Sequence, residues 1–322
     1  MNTFGRLFCV HIFGESHGSC TGVCIDGCPP GISLSEEDFE CDLVRRRTGG
    51  KGTTPRTETD IPKILTGVFN DFTTGAPITI IFENTNTRSG DYSQFIDIPR
   101  PGHADFVAKA KFKEFADHRG GGHFSGRITV GLVAAGVVAK KIISPATVTA
   151  RILEIGGSAQ WQDVIENCMT NGDSTGGIVE CVVEGFPAGY GEPFFDSMES
   201  LISHIVFAIP GTKGIEFGAG FFAAQMSGSE HNDLFISAEG KTTTNHAGGI
   251  NGGITNGNPI IFRVAVKPTS SIAKPQKTMN MRTGEMTSLE ITGRHDVCIA
   301  LRIPPVLEAV TAIALADLKL LH

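Results

Sequence analysis

Gly14-Glu15-Ser16-His17-Gly18 sets a histidine on a glycine-flanked turn, open to a ligand on either side. An imidazole changes charge near neutral pH and can deliver a proton there. A histidine at a strand end also serves as a structural residue, so the later segments decide between the two. Arg45-Arg46-Arg47-Thr48-Gly49-Gly50-Lys51-Gly52-Thr53-Thr54-Pro55-Arg56 runs a basic helix end into a glycine-rich loop with three threonines. Guanidinium groups grip phosphate or carboxylate bidentately, and glycine loops expose backbone N–H groups to the same anion. The same arginines also suit the negative end of a helix. In Arg100-Pro101-Gly102-His103-Ala104-Asp105 a fixed turn places His103 at a helix start, where it can exchange a proton with a bound anion. His118-Arg119-Gly120-Gly121-Gly122-His123-Phe124-Ser125-Gly126-Arg127 offers three glycines, a serine and an arginine at the entry to an apolar helix. Asn245-His246-Ala247-Gly248-Gly249-Ile250-Asn251-Gly252-Gly253 leaves room for a broad planar ligand, and Lys267-Pro268-Thr269-Ser270-Ser271 supplies donors for a phosphate tail. Gly293-Arg294-His295-Asp296 can bind a carboxylate and steer a proton, or stand as a surface ion cluster.

Composition narrows the ligand. A net charge of −7 over 322 residues gives no global electrostatic case for nucleic acid or an acidic membrane. Basic clusters inside an acidic chain point instead to a small anion captured in a pocket. Glycine contributes 40 residues, clustered at 49–52, 120–122 and 248–253 without a collagen-like period. These are loops where backbone must come close to something. Cys20, Cys24 and Cys28 step by four, whereas zinc sites use tighter pairs, so they read as buried free thiols. Arg6 is followed by no signal-like apolar region, and Ile128–Ala139 is too short to span a bilayer. The expected compartment is the cytoplasm.

Helices are expected over Ser33–Arg47, capped by Ser33 with Glu36, and over Ala104–Phe115, Gly126–Ile142 and Pro304–Leu320. The third has no charge between Arg127 and Lys140 and reads as buried all round. The last reads as amphipathic, with Leu307, Val310, Ala314 and Leu318 on the buried face and Glu308 and Lys319 off it. Leu7–Phe13, Ile64–Asn70, Ile78–Glu83, Gly177–Val183 and Pro259–Val266 read as strands. Strands and helices do not alternate strictly, which argues for layers of mostly antiparallel sheet with helices between or on them. Neither G-x-G-x-x-G after a strand nor a Walker A loop occurs.

Taken in order, these segments resemble the chorismate synthase family from about Phe4 to Leu318. Gly14–Gly18 with Asp26-Gly27 looks like its first signature. Arg100–Asp105, Gly120–Arg127, Asp173–Gly177 with Pro187-Ala188-Gly189, Lys213-Gly214, Asn245–Gly253, Lys267–Ser271 and Arg294–Asp296 follow in family order. The resemblance implies an α+β fold, a layered β-α-β sandwich of mostly antiparallel sheets with helices, in one domain over 1–322 assembled as a homotetramer. It implies an anti 1,4-elimination of phosphate from 5-enolpyruvylshikimate 3-phosphate, giving chorismate in the shikimate pathway of aromatic amino acid biosynthesis. Reduced FMN is the implied cofactor, with no net redox change, and NADPH enters only as a flavin reductant. By the same resemblance His17 donates a proton near the flavin, His103 protonates the departing phosphate, and Asp296 helps return flavin N5 to its starting state. Arg46, Lys51, Arg56, Arg100, Arg127 and Arg294 take the places of substrate ligands. His123, Phe124, Ser125, Pro210, Gly211, Gly252, Lys267, Pro268, Thr269, Ser270, Ser271 and Arg294 take the places of FMN contacts. The chain departs from the family where His123-Phe124-Ser125-Gly126-Arg127-Ile128 stands for Arg-Ser-Ser-Ala-Arg-Glu, and where Pro210-Gly211 stands for a pair such as Asn-Ala.

Three other classes remain on the residues alone: a flavin oxidoreductase that truly transfers hydride, a non-catalytic anion-binding protein, and a zinc protein built on Cys20, Cys24 and Cys28.

Overall fold

The computed structural model describes residues 1–47, 49–54, 59–85, 89–291 and 295–322. A first sheet is built from β1 (Thr3–Phe4), β2 (Cys9–Gly14), β3 (Cys20–Asp26), β4 (Lys63–Thr66) and β5 (Ile78–Glu83). Its spatial order is β1-β2-β3-β5-β4, with every neighbour antiparallel. A second antiparallel sheet takes β6 (Thr147–Ile155), β7 (Gly177–Glu184), β8 (Thr212–Phe217) and β9 (Ile260–Val266) in the order β8-β9-β7-β6. Each sheet buries one face. Ile78, Ile80 and Phe82 alternate inward on β5, while Phe262 and Val264 stand opposite Cys181 and Val179 in the second sheet. That period-two pattern assigns both inner faces to one core.

The helices of seven residues or more are α1 (Glu40–Arg46), α2 (Asp105–Phe112), α3 (Thr129–Ile143), α4 (Gln162–Thr170), α5 (Met198–Val206) and α6 (Ile303–Leu321). α3 lies on the first sheet, α6 lies on the second, and the two helices pack against each other between the sheets. The expected β-α-β layering is therefore what the chain builds. Glycines set the spacing within it. A Cβ on Gly131 would lie 2.9 Å from the Gly22 carbonyl oxygen of β3, and one on Gly136 would lie 2.3 Å from the Ala309 Cβ of α6. A helix interior ordinarily disfavours glycine by ~1 kcal/mol relative to alanine. Here the missing methyl groups let backbone approach backbone.

α6 corrects the amphipathic expectation. It is buried on all sides, Glu308 and Asp317 included. Its polar residues are clamps. Glu308 accepts hydrogen bonds from Arg45 at 2.6 Å, from Lys140 at 3.0 Å and from the Ala150 N–H at 3.0 Å. Burial pushes the Glu308 carboxyl up, but Arg45 and Lys140 outweigh it and hold the group below the usual range. Asp317 accepts the backbone N–H groups of Arg6, Leu7 and Phe8. Those bonds hold Arg6–Phe8 out of the ladder, so β2 begins at Cys9 instead of Leu7. Ile299–Leu321 is long and apolar enough to cross a membrane, yet 78% of its most apolar window is buried inside the fold.

Other boundaries shift for local reasons. The first helix is capped by Ser35 with Asp38, because Glu36 instead accepts the Ile64 N–H of β4. The strand expected over Ile64–Asn70 breaks at Gly67, and Val68–Phe69 folds back on Phe72–Thr73. Strand β6 was not read from the sequence at all.

Gly136→Ala is expected to destabilise the protein by about 1–3 kcal/mol through overpacking of α3 on α6, measured as a lower urea midpoint. An unchanged midpoint would show that the helix pair has slack at this crossing.

Candidate active site

The loops at the ends of these layers converge on one cavity of about 1170 Å³. A single ligand usually occupies roughly 300–1,000 Å³, so this volume admits a cofactor and a substrate together. One wall is Tyr92–Phe95 with the Arg100–Ala104 turn. A second is the Gly120–Arg127 loop feeding α3. A third joins Ala208–Gly211, after α5, to Lys267–Ser271, after β9. The floor comes from Arg46, Arg47, His295, Asp296 and the start of α6.

Arg100 and His103 share one carboxylate. The half-buried Asp105 accepts Arg100 Nε and Nη2, both at 2.8 Å, and His103 Nδ1 at 2.7 Å. Burial pushes the Asp105 carboxyl up, but its hydrogen bonds from Arg100 and His103 prevail and hold it far below the usual carboxylate range. Arg100 also reaches Ser271 Oγ at 3.1 Å and lies over the Phe95 ring, 4.5 Å from its centroid. Arg46 and Arg127 share Asp60, which is 2% exposed. Arg46 further donates to Thr129 Oγ1 and to the carbonyls of Gly126 and Arg127. Burial first, then repulsion from Arg302, pushes its guanidinium down to about 9, still protonated at neutral pH. Arg46 thus holds the loop in place and has few donors left for a ligand. The adjacent Arg47 lines the cavity, and its buried Nε has no hydrogen-bond partner among the described residues. In a run of three arginines, sequence alone does not say which one faces inward.

Asp296 lies on the floor, where its carboxylate accepts the Thr54 N–H at 2.9 Å and Arg302 Nη1 at 3.2 Å. Arg302, like Arg47, Asp60 and Tyr92, was not singled out from the sequence. His17 stands one layer behind the wall, 8% exposed, edge-on to Tyr92 at 5.2 Å. A Cβ on Gly120 would fall 2.5 Å from its ring, so glycine there is what lets the imidazole approach. Gly120, Gly121 and Gly122 all have positive φ, a run that L side chains rarely adopt.

Of the flavin positions, His123, Phe124, Ser125, Pro210, Gly211 and Lys267–Ser271 all border the cavity. The His123 ring is engaged with the Gly14 carbonyl at 2.8 Å and Asn2 Oδ1 at 3.1 Å, so it ties the loop to the turn carrying His17. Gly252 is not brought in; it sits at the tip of the Ile250–Thr255 hairpin. Lys51 is likewise not brought in: it pairs with Glu166 on the surface. Arg56 and Arg294 lie outside the described residues.

The donors fit a phosphate-bearing flavin. Thr269 Oγ1 is buried and has no partner among the described residues. Lys267 donates to Gly102 O and to Ser270 Oγ, and burial together with nearby Lys213 pushes its ammonium down. An anionic tail would relieve that repulsion and supply the missing acceptor.

Fold and pocket together define a layered α+β protein built to receive a small polyanion. The chorismate synthase family model matches residues 8–320. A protein of Chitinophaga pinensis named chorismate synthase is 63% identical over 323 residues, covering 100% of this chain and 97% of its own length. Proteins of that name from Dehalococcoides mccartyi and Methanocaldococcus jannaschii are 45% and 43% identical, each over 99% of this chain and 96% of their own. A crystal structure of chorismate synthase superposes with a TM-score of 0.75 over 98% of this chain and 93% of that one, at 24% identity, and supports the fold. The chain belongs to the chorismate synthase family.

The depressed Asp105 pKa has a defined sign. Its contribution to stability is complete above the unfolded value near pH ~4 and is lost as pH falls toward the folded value. Urea unfolding should therefore separate the parent protein from Asp105→Asn at pH 6, with the gap closing below pH ~4. A gap that stayed constant with pH would contradict this.

Proposed function

We propose that the cavity catalyses the anti 1,4-elimination of phosphate from 5-enolpyruvylshikimate 3-phosphate to give chorismate, with reduced FMN bound beside the substrate and no net redox change. The observation that carries this reading is the arginine-lined cavity, large enough for both molecules, in a chain matched to the family over nearly its whole length. The chemistry that a reduced flavin supplies when bound is transient electron donation into the allylic system as phosphate departs.

The protein's own residues bind, orient and move protons. Arg47, Arg100, Arg127 and Arg302 surround a polyanion with preorganised positive charge. Arg56 and Arg294 join them by family resemblance. Lys267 and Thr269–Ser271 receive the flavin phosphate. His103 lines the wall and delivers a proton to the departing phosphate. His17, approached across Gly120, serves as the second proton donor, and Asp296 as the acceptor near the flavin. NADPH acts at most as the source of electrons for the flavin.

A cytoplasmic homotetramer is part of this reading. Phe194, Phe195, Phe221 and Phe222 are each at least 60% exposed. Further copies of the chain would cover such residues.

Incubation with chemically reduced FMN and substrate, without nicotinamide, should release chorismate over many turnovers; none would refute the lyase. His17→Ala and His103→Ala should each lower kcat by about 10²–10⁴-fold while substrate binding changes far less. Equal loss of binding and turnover would instead favour a binding role. FMN titration should show tight binding only with substrate present, and an affinity indifferent to substrate would argue against a shared cavity.

A further inference from the structure

We propose that Asp105 is the positioning residue that fixes which nitrogen of His103 exchanges its proton. This rests on the lyase reading above. The geometry is local and complete. Asp105 Oδ2 accepts the Arg100 backbone N–H at 3.0 Å and Nε at 2.8 Å. Asp105 Oδ1 accepts Arg100 Nη2 at 2.8 Å and faces His103 Nδ1 at 2.7 Å. Arg100 Nη2 is also 3.1 Å from that Nδ1. A guanidinium nitrogen only donates and a carboxylate oxygen only accepts. Nδ1 therefore carries a hydrogen, given to the closer and charged Oδ1, while Nη2 gives its own hydrogen to the same oxygen. Asp105 is able to accept because its side chain is 9% exposed yet anchored by the arginine.

With Nδ1 committed, Nε2 is the exchangeable position. It points past Gly121, 3.8 Å from where a Cβ on that residue would stand. The proton step balances simply. The imidazolium Nε2–H bond breaks, its proton goes to a phosphate oxygen, and the electron pair stays on Nε2. Nδ1–H remains on Asp105 throughout. The carboxylate thus supplies the counter-charge of the imidazolium and keeps the ring from turning its other nitrogen into the cavity. The same oxygens hold Arg100, so the proton donor and an anion ligand keep a constant separation.

Asp105→Asn separates this role from simple structure. The amide oxygen replaces Oδ2 and keeps the Arg100 backbone N–H and Nε bonds, while the NH₂ stands toward Nδ1 and gives up only the bond from Arg100 Nη2. That reverses the tautomer, as in serine-protease triads where the same exchange keeps geometry and loses rate. The kcat should fall about 10²–10⁴-fold, with KM for substrate shifting by less than about threefold. The double variant His103→Ala/Asp105→Asn should be no slower than His103→Ala, because Asp105 acts through the histidine. In parent protein labelled with ¹⁵N-histidine and assigned by loss of the signal in His103→Ala, the neutral ring should show Nδ1 protonated and Nε2 bare. The pattern should reverse in Asp105→Asn. A bare Nδ1 in the parent, or additive losses in the double variant, would overturn the assignment. If the parent did not turn over substrate, the lyase reading would fall instead, and the ¹⁵N pattern would still decide the placement of Asp105.

Discussion

Burying arginine is the constraint on which this molecule depends. Removing a charge from water costs several kcal/mol per ion even after relaxation. Arg46, Arg100 and Arg127 are each less than 9% exposed, and Arg46 feels the like charges of Arg302 and Arg127. Two carboxylates make that concentration of charge tolerable. Asp60 spans Arg46 and Arg127, and Asp105 holds Arg100. Asp60 does so from a left-handed backbone conformation with φ of 47°, which an L residue adopts at a cost of ~1–3 kcal/mol. Its two ion pairs are what hold it there. The cavity is therefore a framed set of charges whose orientations exist before any ligand arrives.

The sandwich brings these groups together. The Tyr92–Phe95 and Arg100–Ala104 segments follow β5, the glycine loop leads into α3, Ala208–Gly211 follows α5, Lys267–Ser271 follows β9, and Asp296 precedes α6. Each layer sends a connection to the same cavity. Catalytic loops carried on a rigid scaffold keep sub-ångström placement better than loops that rest on one another. The close crossing of α3 and α6 at Gly136 and Ala309 fixes the distance between the layers.

Much of this was legible in the sequence. The layered antiparallel class followed from strands and helices that fail to alternate, and α3 was readable as buried from its long uncharged run. The polar residues of α6 misled because a helical wheel treats charge as exposure, whereas Glu308 and Asp317 are buried against partners that lie far away in sequence. Strand β6 was missed because Arg151 and Glu154 interrupt its apolar pattern; Arg151 instead pairs with Glu180 of the neighbouring strand. At the site, only one of the three glycine clusters, at 120–122, marked a loop that borders the cavity; those at 49–52 and 248–253 do not line it. Nor did the glycines say that Arg46 is consumed by the frame and Arg47 left to the cavity, or that Lys51 turns outward to Glu166. Those outcomes depend on which carboxylate arrives from another layer, a tertiary fact with no local signature. Asp105 was in view within its motif, but its link to His103 appears only once the turn is folded.

The burial of the Asp60 and Asp105 pairs has a consequence for ionic strength. Mobile ions screen exposed charges over a Debye length of about 8 Å at physiological salt, and reach buried pairs far less. Salt would therefore change how the exposed charges act on an approaching polyanion while leaving the internal frame intact. Capture and architecture are electrostatically insulated from each other, so the enzyme's encounter rate can vary with its medium while its geometry does not.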